Sequence, residues 1–297
     1  GSEMCIETVT DHCTLRSGGI WNGDGWDPDS STNCTLFATE FETEDDSVAI
    51  KSGKNPEGNA INRPTKHICV FDCHSNGGHG ICIGSEMSGG VADVQIWDCD
   101  IAASSNGIEI KGTPKRGGYV RNVTVRDCTF PRLLIHSVPY NDDGIPASEQ
   151  PYFEDFRFER LHLTGQKQEH GTVESVAPIE IDGFTAPGHK IKNVLLSDCV
   201  LPPNAKLLLS RYDALTISNL HTEEDQAHPD TPQHYDYDVG VKSPDFDAYG
   251  LFRATHSHVS APLRSVLDMC HWHIAPYPIF AYRGIIIPLL CSYRGGS

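Results

Sequence analysis

The chain has 297 residues and carries 40 Asp and Glu against 23 Lys and Arg, a formal net charge of −17 at pH 7. A field of that sign repels phosphates, so no nucleic acid and no anionic membrane surface is expected as a partner, and a polyanionic ligand would need a local basic patch. A chain of this length can bury a large core within one elongated domain. The 11 cysteines form no Cys-x-x-Cys pair, Cys69 and Cys73 are expected on the same face of one strand, and most of the thiols read as small stacked core residues, so no metal site is expected.

At the amino end, Gly1-Ser2-Glu3-Met4 lacks the basic and apolar segments of a signal peptide. Thr8 to Cys13 fits a strand pattern badly. A stacked repeat needs a cover over its first coil, so the expectation is either that earlier coils precede this one or that a partner, through self-association, covers that end. Asn22 to Ser52 then supplies Asp24, Asp45 and Asp46, with Asp24 and Asp45 21 residues apart. That is about one coil of a parallel β-solenoid, whose coils lie ~4.8 Å apart, so all three carboxylates are expected on one groove. Clustered carboxylates of this kind suit glycoside hydrolysis.

A recurring unit follows: Ile68 to Cys73, Val94 to Cys99, Val123 to Cys128 and Val194 to Cys199, with Leu closing the related units Phe156 to Leu161 and Leu215 to Leu220. Each alternates with period two, and the last positions are 26, 29, 33, 38 and 21 residues apart. The pattern predicts an all-β, right-handed parallel β-helix, a single-domain solenoid over residues 1–224 with loops of varying length. Like residues stack into ladders because no coil buries its inner face alone. Residues 225–297 are rich in His, Pro and Tyr without a regular period and are expected to form an irregular segment, a candidate cap. The run Gly284 to Cys291 is too short and too broken by Pro288 to span a bilayer.

Gly78-His79-Gly80 lies one enlarged coil after Asp46, and Glu109-Ile110-Lys111 one coil further. At these residues the chain resembles glycoside hydrolase family 28, the polygalacturonases, whose signatures Asn-Thr-Asp, Asp-Asp, Gly-His-Gly and Arg-Ile-Lys occur in this order. The resemblance covers about Leu15 to Val200. It implies that Asp45 is the general acid, that Asp24 and Asp46 activate water, that His79 sets the acid's protonation and that Lys111 binds a sugar carboxylate. It also implies a pectic oligo- or polysaccharide as partner, inversion of the anomeric centre, no metal or organic cofactor, and a location outside the cytoplasm. Neighbouring carboxylates push their pKa values apart, so one is expected to keep its proton. Inversion follows if acid and base lie about 6.5–9.5 Å apart.

Two departures stand out. Glu44 precedes the Asp pair, and Glu109 occupies the place of the family's Arg, where it would repel a uronate unless another cation takes over. Lys115 and Arg116 are the nearest candidates. The insertion Gly53 to Asn59, with Lys54 and the following Arg63, resembles the exo-acting branch of the family, where a longer loop closes one end of the groove. Tyr140 resembles the family's active-site Tyr. Asp142-Asp143 reads as a turn, and Asn33 and Asn122 match the glycosylation acceptor pattern without implied function. Two alternatives stay open: a relative acting on rhamnogalacturonan, with neutral rhamnose facing Glu109, and a non-catalytic β-helix retained for carbohydrate binding.

Overall fold

In the computed structural model, which describes residues 8–222 and the strands Tyr237–Lys242 and Tyr249–Ala254, each repeat is a strand bent at two fixed points. Left-handed residues recur in pairs five apart: Asn33 and Ala38, His67 and Asp72, Asp93 and Asp98, Asn122 and Asp127, Asp155 and Arg160, Asn193 and Asp198, Ala214 and Asn219. Asp and Asn tolerate this conformation better than most residues, which explains why Asp so often precedes the Cys of the repeat. The bends tie successive coils together. Asn193 donates to Asp155 at 2.9 Å and Asn219 to Asp198 at 3.0 Å, while Asn122, one of the two glycosylation-pattern residues, donates to Asp93.

The bend also corrects one expectation. Cys73 follows Asp72 and turns into the core, whereas Cys69 stays on the half-exposed side, so the two do not share a face. Cys73, Cys99, Cys128 and Cys199 are buried free thiols, as expected of a stacked core. Each donates to the carbonyl two residues back, at 3.1–3.4 Å.

Two sheets of parallel strands wind along the solenoid. One runs through Thr8–Asp11, Thr32–Glu42, Thr65–Ser75, Val91–Trp97, Tyr119–Arg126, Tyr152–Glu159, Ile191–Leu201 and Tyr212–Thr222. The other runs through Asp46–Ile50, Gly80–Ile83, Gly107–Gly112, Leu133–Ser137, Ile179–Asp182, Lys206–Ser210 and Tyr237–Lys242. The all-β parallel helix expected from the repeat is therefore the observed architecture. Thr8–Asp11, which fits the pattern badly, is nonetheless a strand paired in register with Thr32–Glu42. Most of the segment 225–297, expected to be irregular, lies outside the described residues. Within it, Tyr237–Lys242 continues the second sheet and Tyr249–Ala254 pairs with it antiparallel. No helix among the described residues is long and apolar enough to cross a membrane.

Inside, register makes the ladders. Ile81, Ile108, Leu133, Ile179 and Leu207 are successive neighbours across five strands, all at most 2% exposed. Phe158 is fully buried between its register neighbours Val125 and Leu196. Phe158→Ala should therefore leave a cavity that the stacked coils cannot close and cost about 3–5 kcal/mol, read from urea unfolding followed by circular dichroism.

Candidate active site

The second sheet positions the site. On Gly107–Gly112 the inward Ile108 and Ile110 alternate with Glu109 and Lys111, whose side chains emerge on the opposite face. In register on the next coil are Leu134 and His136, and on the one after that Glu180 and Asp182. At the start of the same face, Gly25 and Trp26 donate backbone hydrogen bonds to Asp46 and Ser47, which lays the Asp24 segment alongside Asp46–Ile50.

Gly-His-Gly has a steric reason. Gly78 has a φ of +67°, and a Cβ there would lie 2.3 Å from Thr43 Oγ1 and 2.4 Å from the Asp45 carbonyl. Gly80 has a φ of +102°, with its Cβ position 2.3 Å from the Gly107 carbonyl. Only glycine permits this approach, which lets the His79 amide donate to the Asp45 carbonyl at 2.8 Å. The imidazole is thereby aimed at the acidic pair. His79 Nδ1 lies 2.8 Å from Asp45 Oδ1 and 3.5 Å from Asp46 Oδ1. Asp46 Oδ1 is buried without a hydrogen-bond partner. Asp24 accepts the Asp46 amide at 3.2 Å and pairs with Lys51 at 2.9 Å; Lys51 also holds Asp27 at 2.8 Å.

The two members of the acidic pair sit in different surroundings. The hydrogen bond from His79 holds Asp45 below the usual carboxylate range, while burial pushes Asp46 up. The difference follows burial, Asp46 being only 7% exposed and Asp45 26%. His79 is raised to about 10, first by its bond to Asp45 and then by Asp46. Its ordinary value is 6.5, so this pairing adds stability that is complete below about pH 6.5 and is lost as pH rises through about 10. Thermal melts across that window should show the decline for the wild type and a flatter profile for His79→Gln.

Glu109 does not stand as a bare negative charge. It binds Lys111 at 3.2 Å, Asn106 at 3.0 Å and His136 at 2.8 Å, and it accepts from Tyr140 Oη at 3.3 Å. Burial would raise its pKa, but the His136 hydrogen bond and the Lys111 charge outweigh that and hold it at about 2. His136 is pulled down by burial yet raised to about 9 by Glu109 and Glu180. The cation compensating Glu109 is therefore His136, with Lys111, and neither Lys115 nor Arg116. Lys111 Nζ also lies 4.0 Å from Asp46 Oδ2 and 5.9 Å from the Tyr140 ring centroid.

Arg116 is fully buried and is not placed to meet a ligand. It donates to the Ser85 and Asn141 carbonyls at 2.7 Å each and to the Asn55 side chain. Asn55 in turn donates to the Asp143 and Ile145 carbonyls. The guanidinium thus clamps the inserted loop, with its short helix Glu57–Ile61, to the loop after Tyr140. Lys54 pairs with Asp143 across the same junction, and Lys115 with Asp142 at 3.8 Å, so the second acidic pair is held by ion pairs. Arg63 is half-buried and lines neither of the two cavities at the site.

Those cavities meet at Asn22, Asp45 and His79, which line both. One, of about 400 Å³, carries Asp24, Asp46, Lys51, Lys54, Lys111 and Tyr140. The other, of about 690 Å³, lies between Trp21, the Gly78 loop and the hairpin of Gln166–Glu169 and Thr172–Ser175. Asp45, Asp46 and His79 could also hold a cation, their ligand atoms lying within 4.8 Å of one another. In this arrangement the imidazole Nδ1 is engaged by Asp45 at 2.8 Å.

Sequence reading missed Asp27, Lys51, His136 and Glu180. The usable signal was register: His136 stands beside Lys111 and Glu180 beside Leu134, each one coil on.

Residues 1–134 match the model of glycosyl hydrolases family 28. A probable polygalacturonase of Vitis vinifera is 42% identical over 129 residues, 43% of this chain and 26% of the relative. An exo-poly-alpha-D-galacturonosidase of Dickeya chrysanthemi is 25% identical over 231 residues, 74% of this chain and 38% of the relative. The chain thus spans well under half the length of these relatives. Among solved structures, a Yersinia enterocolitica family 28 exopolygalacturonase superposes with a TM-score of 0.58 at 24% identity, over 79% of this chain and 41% of that one. A hyperthermoactive exopolygalacturonase from Thermotoga maritima gives 0.54 at 21% identity, over 86% and 53%. The segment that carries Asp24, Asp45, Asp46, His79, Glu109 and Lys111 is accordingly related to the glycosyl hydrolases of family 28.

Proposed function

We propose that the protein hydrolyses α-galacturonosidic bonds in pectic oligosaccharides, removing a terminal galacturonate. The observation that carries this reading is the position of Asp45 and His79 at the junction of two cavities, one of which holds three lysines. A terminal galacturonate in the lysine-bearing cavity places its carboxylate near Lys111, with Tyr140 beside it, and leaves the glycosidic oxygen at Asp45. The loops clamped by Arg116 contribute Lys54, Tyr140 and Asn141 to that cavity, which favours exo action.

Asp45, the more exposed member of the pair, meets the glycosidic oxygen. A bound sugar removes water from Asp45 and raises its pKa. The proton shared across the 2.8 Å His79 contact then passes to Asp45 and on to the leaving oxygen. Asp24, ion-paired with Lys51, takes the proton of the attacking water, with Asp46 beside it. One oxygen each of Asp45 and Asp46 lie within 4.8 Å, short of the separation of about 6.5–9.5 Å usual for an inverting acid and base, which favours Asp24 over Asp46 as the base. Proton NMR of the first-formed anomer therefore decides whether the reaction inverts, as the family resemblance implies.

Glu109 is matched by Lys111 and His136, so a uronate here meets a compensated site, and a neutral rhamnose opposite Glu109 is not required. The test is a time course on oligogalacturonides resolved by chain length. Release of galacturonate alone, with stepwise shortening, is the expected result. A spread of intermediate lengths from the outset would overturn exo action, and no cleavage would overturn the hydrolase reading in favour of a carbohydrate-binding β-helix.

A further inference from the structure

Asn106, Lys111 and Tyr140 line the smaller cavity, and all three converge on Glu109, which does not line it. Glu109 Oε2 accepts from Asn106 at 3.0 Å and from Lys111 at 3.2 Å, and Oε1 accepts from Tyr140 Oη at 3.3 Å. The Glu109 side chain is 3% exposed. A carboxylate in that position fixes where an amide, a lysine and a phenol stand on the wall in front of it.

Behind Glu109 the charges continue away from the cavity, coil by coil. His136 Nε2 lies 2.8 Å from Glu109 Oε1 and its Nδ1 3.2 Å from Glu180 Oε1, while Arg132 lies 3.7 Å from Glu180 Oε2. A ring with a carboxylate at each nitrogen is served best by the doubly protonated form, which donates from both. Strand register sets this place, with Lys111 beside His136 on one coil and Asp182, itself paired with Arg211, on the other.

The consequence falls on Lys111. His136 and Lys111 together hold Glu109 ionised. With His136 charged, Glu109 draws on two cations and Lys111 keeps charge for a ligand. With His136 neutral, Lys111 alone would have to answer both Glu109 and Asp46, which lies 4.0 Å from its Nζ.

We propose that Glu109 and His136 are positioning residues for galacturonate: Glu109 anchors Lys111 and Tyr140 from behind the cavity wall, and the His136 cation balances Glu109 so that Lys111 stays available to the sugar carboxylate. This rests on the hydrolase reading above. Neither residue touches the sugar.

The experiment is steady-state kinetics on oligogalacturonides with the wild type, His136→Gln, and the double variant His136→Gln with Glu109→Gln. Glutamine keeps an amide donor for Glu109 but no charge, so His136→Gln should raise KM by about fivefold or more and lower kcat much less. The double variant removes the carboxylate that Lys111 would otherwise have to neutralise, and it should recover most of the loss in KM. Structural damage from two buried substitutions would add instead. Should His136→Gln not fold, Glu180→Gln carries the test, because it returns to Glu109 the share of imidazolium charge that Glu180 takes. KM should then fall by about twofold, and a rise or no change would overturn the proposal. An unchanged KM in His136→Gln, or losses that add in the double variant, would overturn it too, while galacturonate release by the wild type keeps the hydrolase reading. A wild type that releases no galacturonate would overturn both.

Discussion

Asp45→Asn is expected to lower kcat on a galacturonosyl substrate by about 10²–10⁴-fold while leaving KM within a few fold. The amide keeps the shape of the carboxylate, and its oxygen still accepts from His79, but it delivers no proton to the leaving oxygen. The substitution also replaces the charge-assisted bond to Asp45, the chief cause of the raised His79 pKa, with a weaker one to a neutral amide. His79 should then titrate well below about 10, which NMR of the imidazole would register independently of turnover. A variant with wild-type kcat would show that the proton comes from elsewhere, Asp46 being the buried carboxyl with the raised pKa.

Lys111→Met should lower stability as well as binding. Lys111 is 10% exposed at its side chain and stands between Glu109 at 3.2 Å and Asp46 at 4.0 Å. Removing one partner of a buried charge pair leaves the other uncompensated, at a cost of about 3–5 kcal/mol. Here Glu109 keeps His136 as a partner, which places the expectation at the lower end of that range. The double variant Lys111→Met with Glu109→Gln should recover part of the loss, and equilibrium urea unfolding of the four proteins gives the coupling directly. The same Lys111→Met substitution should weaken galacturonate binding, because Lys111 shares Glu109 with His136 and so keeps charge to offer a ligand, whereas Lys51 is held by two carboxylates, Asp24 and Asp27.

The recurring Val-x-Val-x-Asp-Cys unit was enough to read the solenoid, because stacking puts like residues in register and so makes the repeat visible in one dimension. The bends were not legible as bends. Alternation of apolar residues records which face a side chain takes, whereas the left-handed turn at Asp72 or Asp98 switches that face without breaking the apolar count. Reading Cys69 and Cys73 as one face failed for this reason. Thr8–Asp11 gave a weak signal because its alternate residues are only half-buried.

The carboxylates and His79 were legible from ordered short motifs, and the glycines around His79 now have a steric explanation. The electrostatic order of Asp45 and Asp46 was not legible, since it depends on a burial difference between adjacent residues. Arg116 misled because an Arg beside Gly117 and Gly118 looks exposed. Its actual partners, Asn55, Ser85 and Asn141, come from three distant segments that only the fold brings together. His136 was invisible for the same reason, its relation to Glu109 being set by strand register across coils.

The most direct test of the central claim is mass spectrometry of products formed from oligogalacturonides in heavy-oxygen water, with wild-type and Asp45→Asn proteins side by side. Hydrolysis at the Asp24, Asp45 and Asp46 site predicts one heavy oxygen at the anomeric carbon of each galacturonate newly released, and loss of that product in the variant. Unlabelled, unsaturated products, or labelled release that Asp45→Asn leaves unchanged, would contradict it.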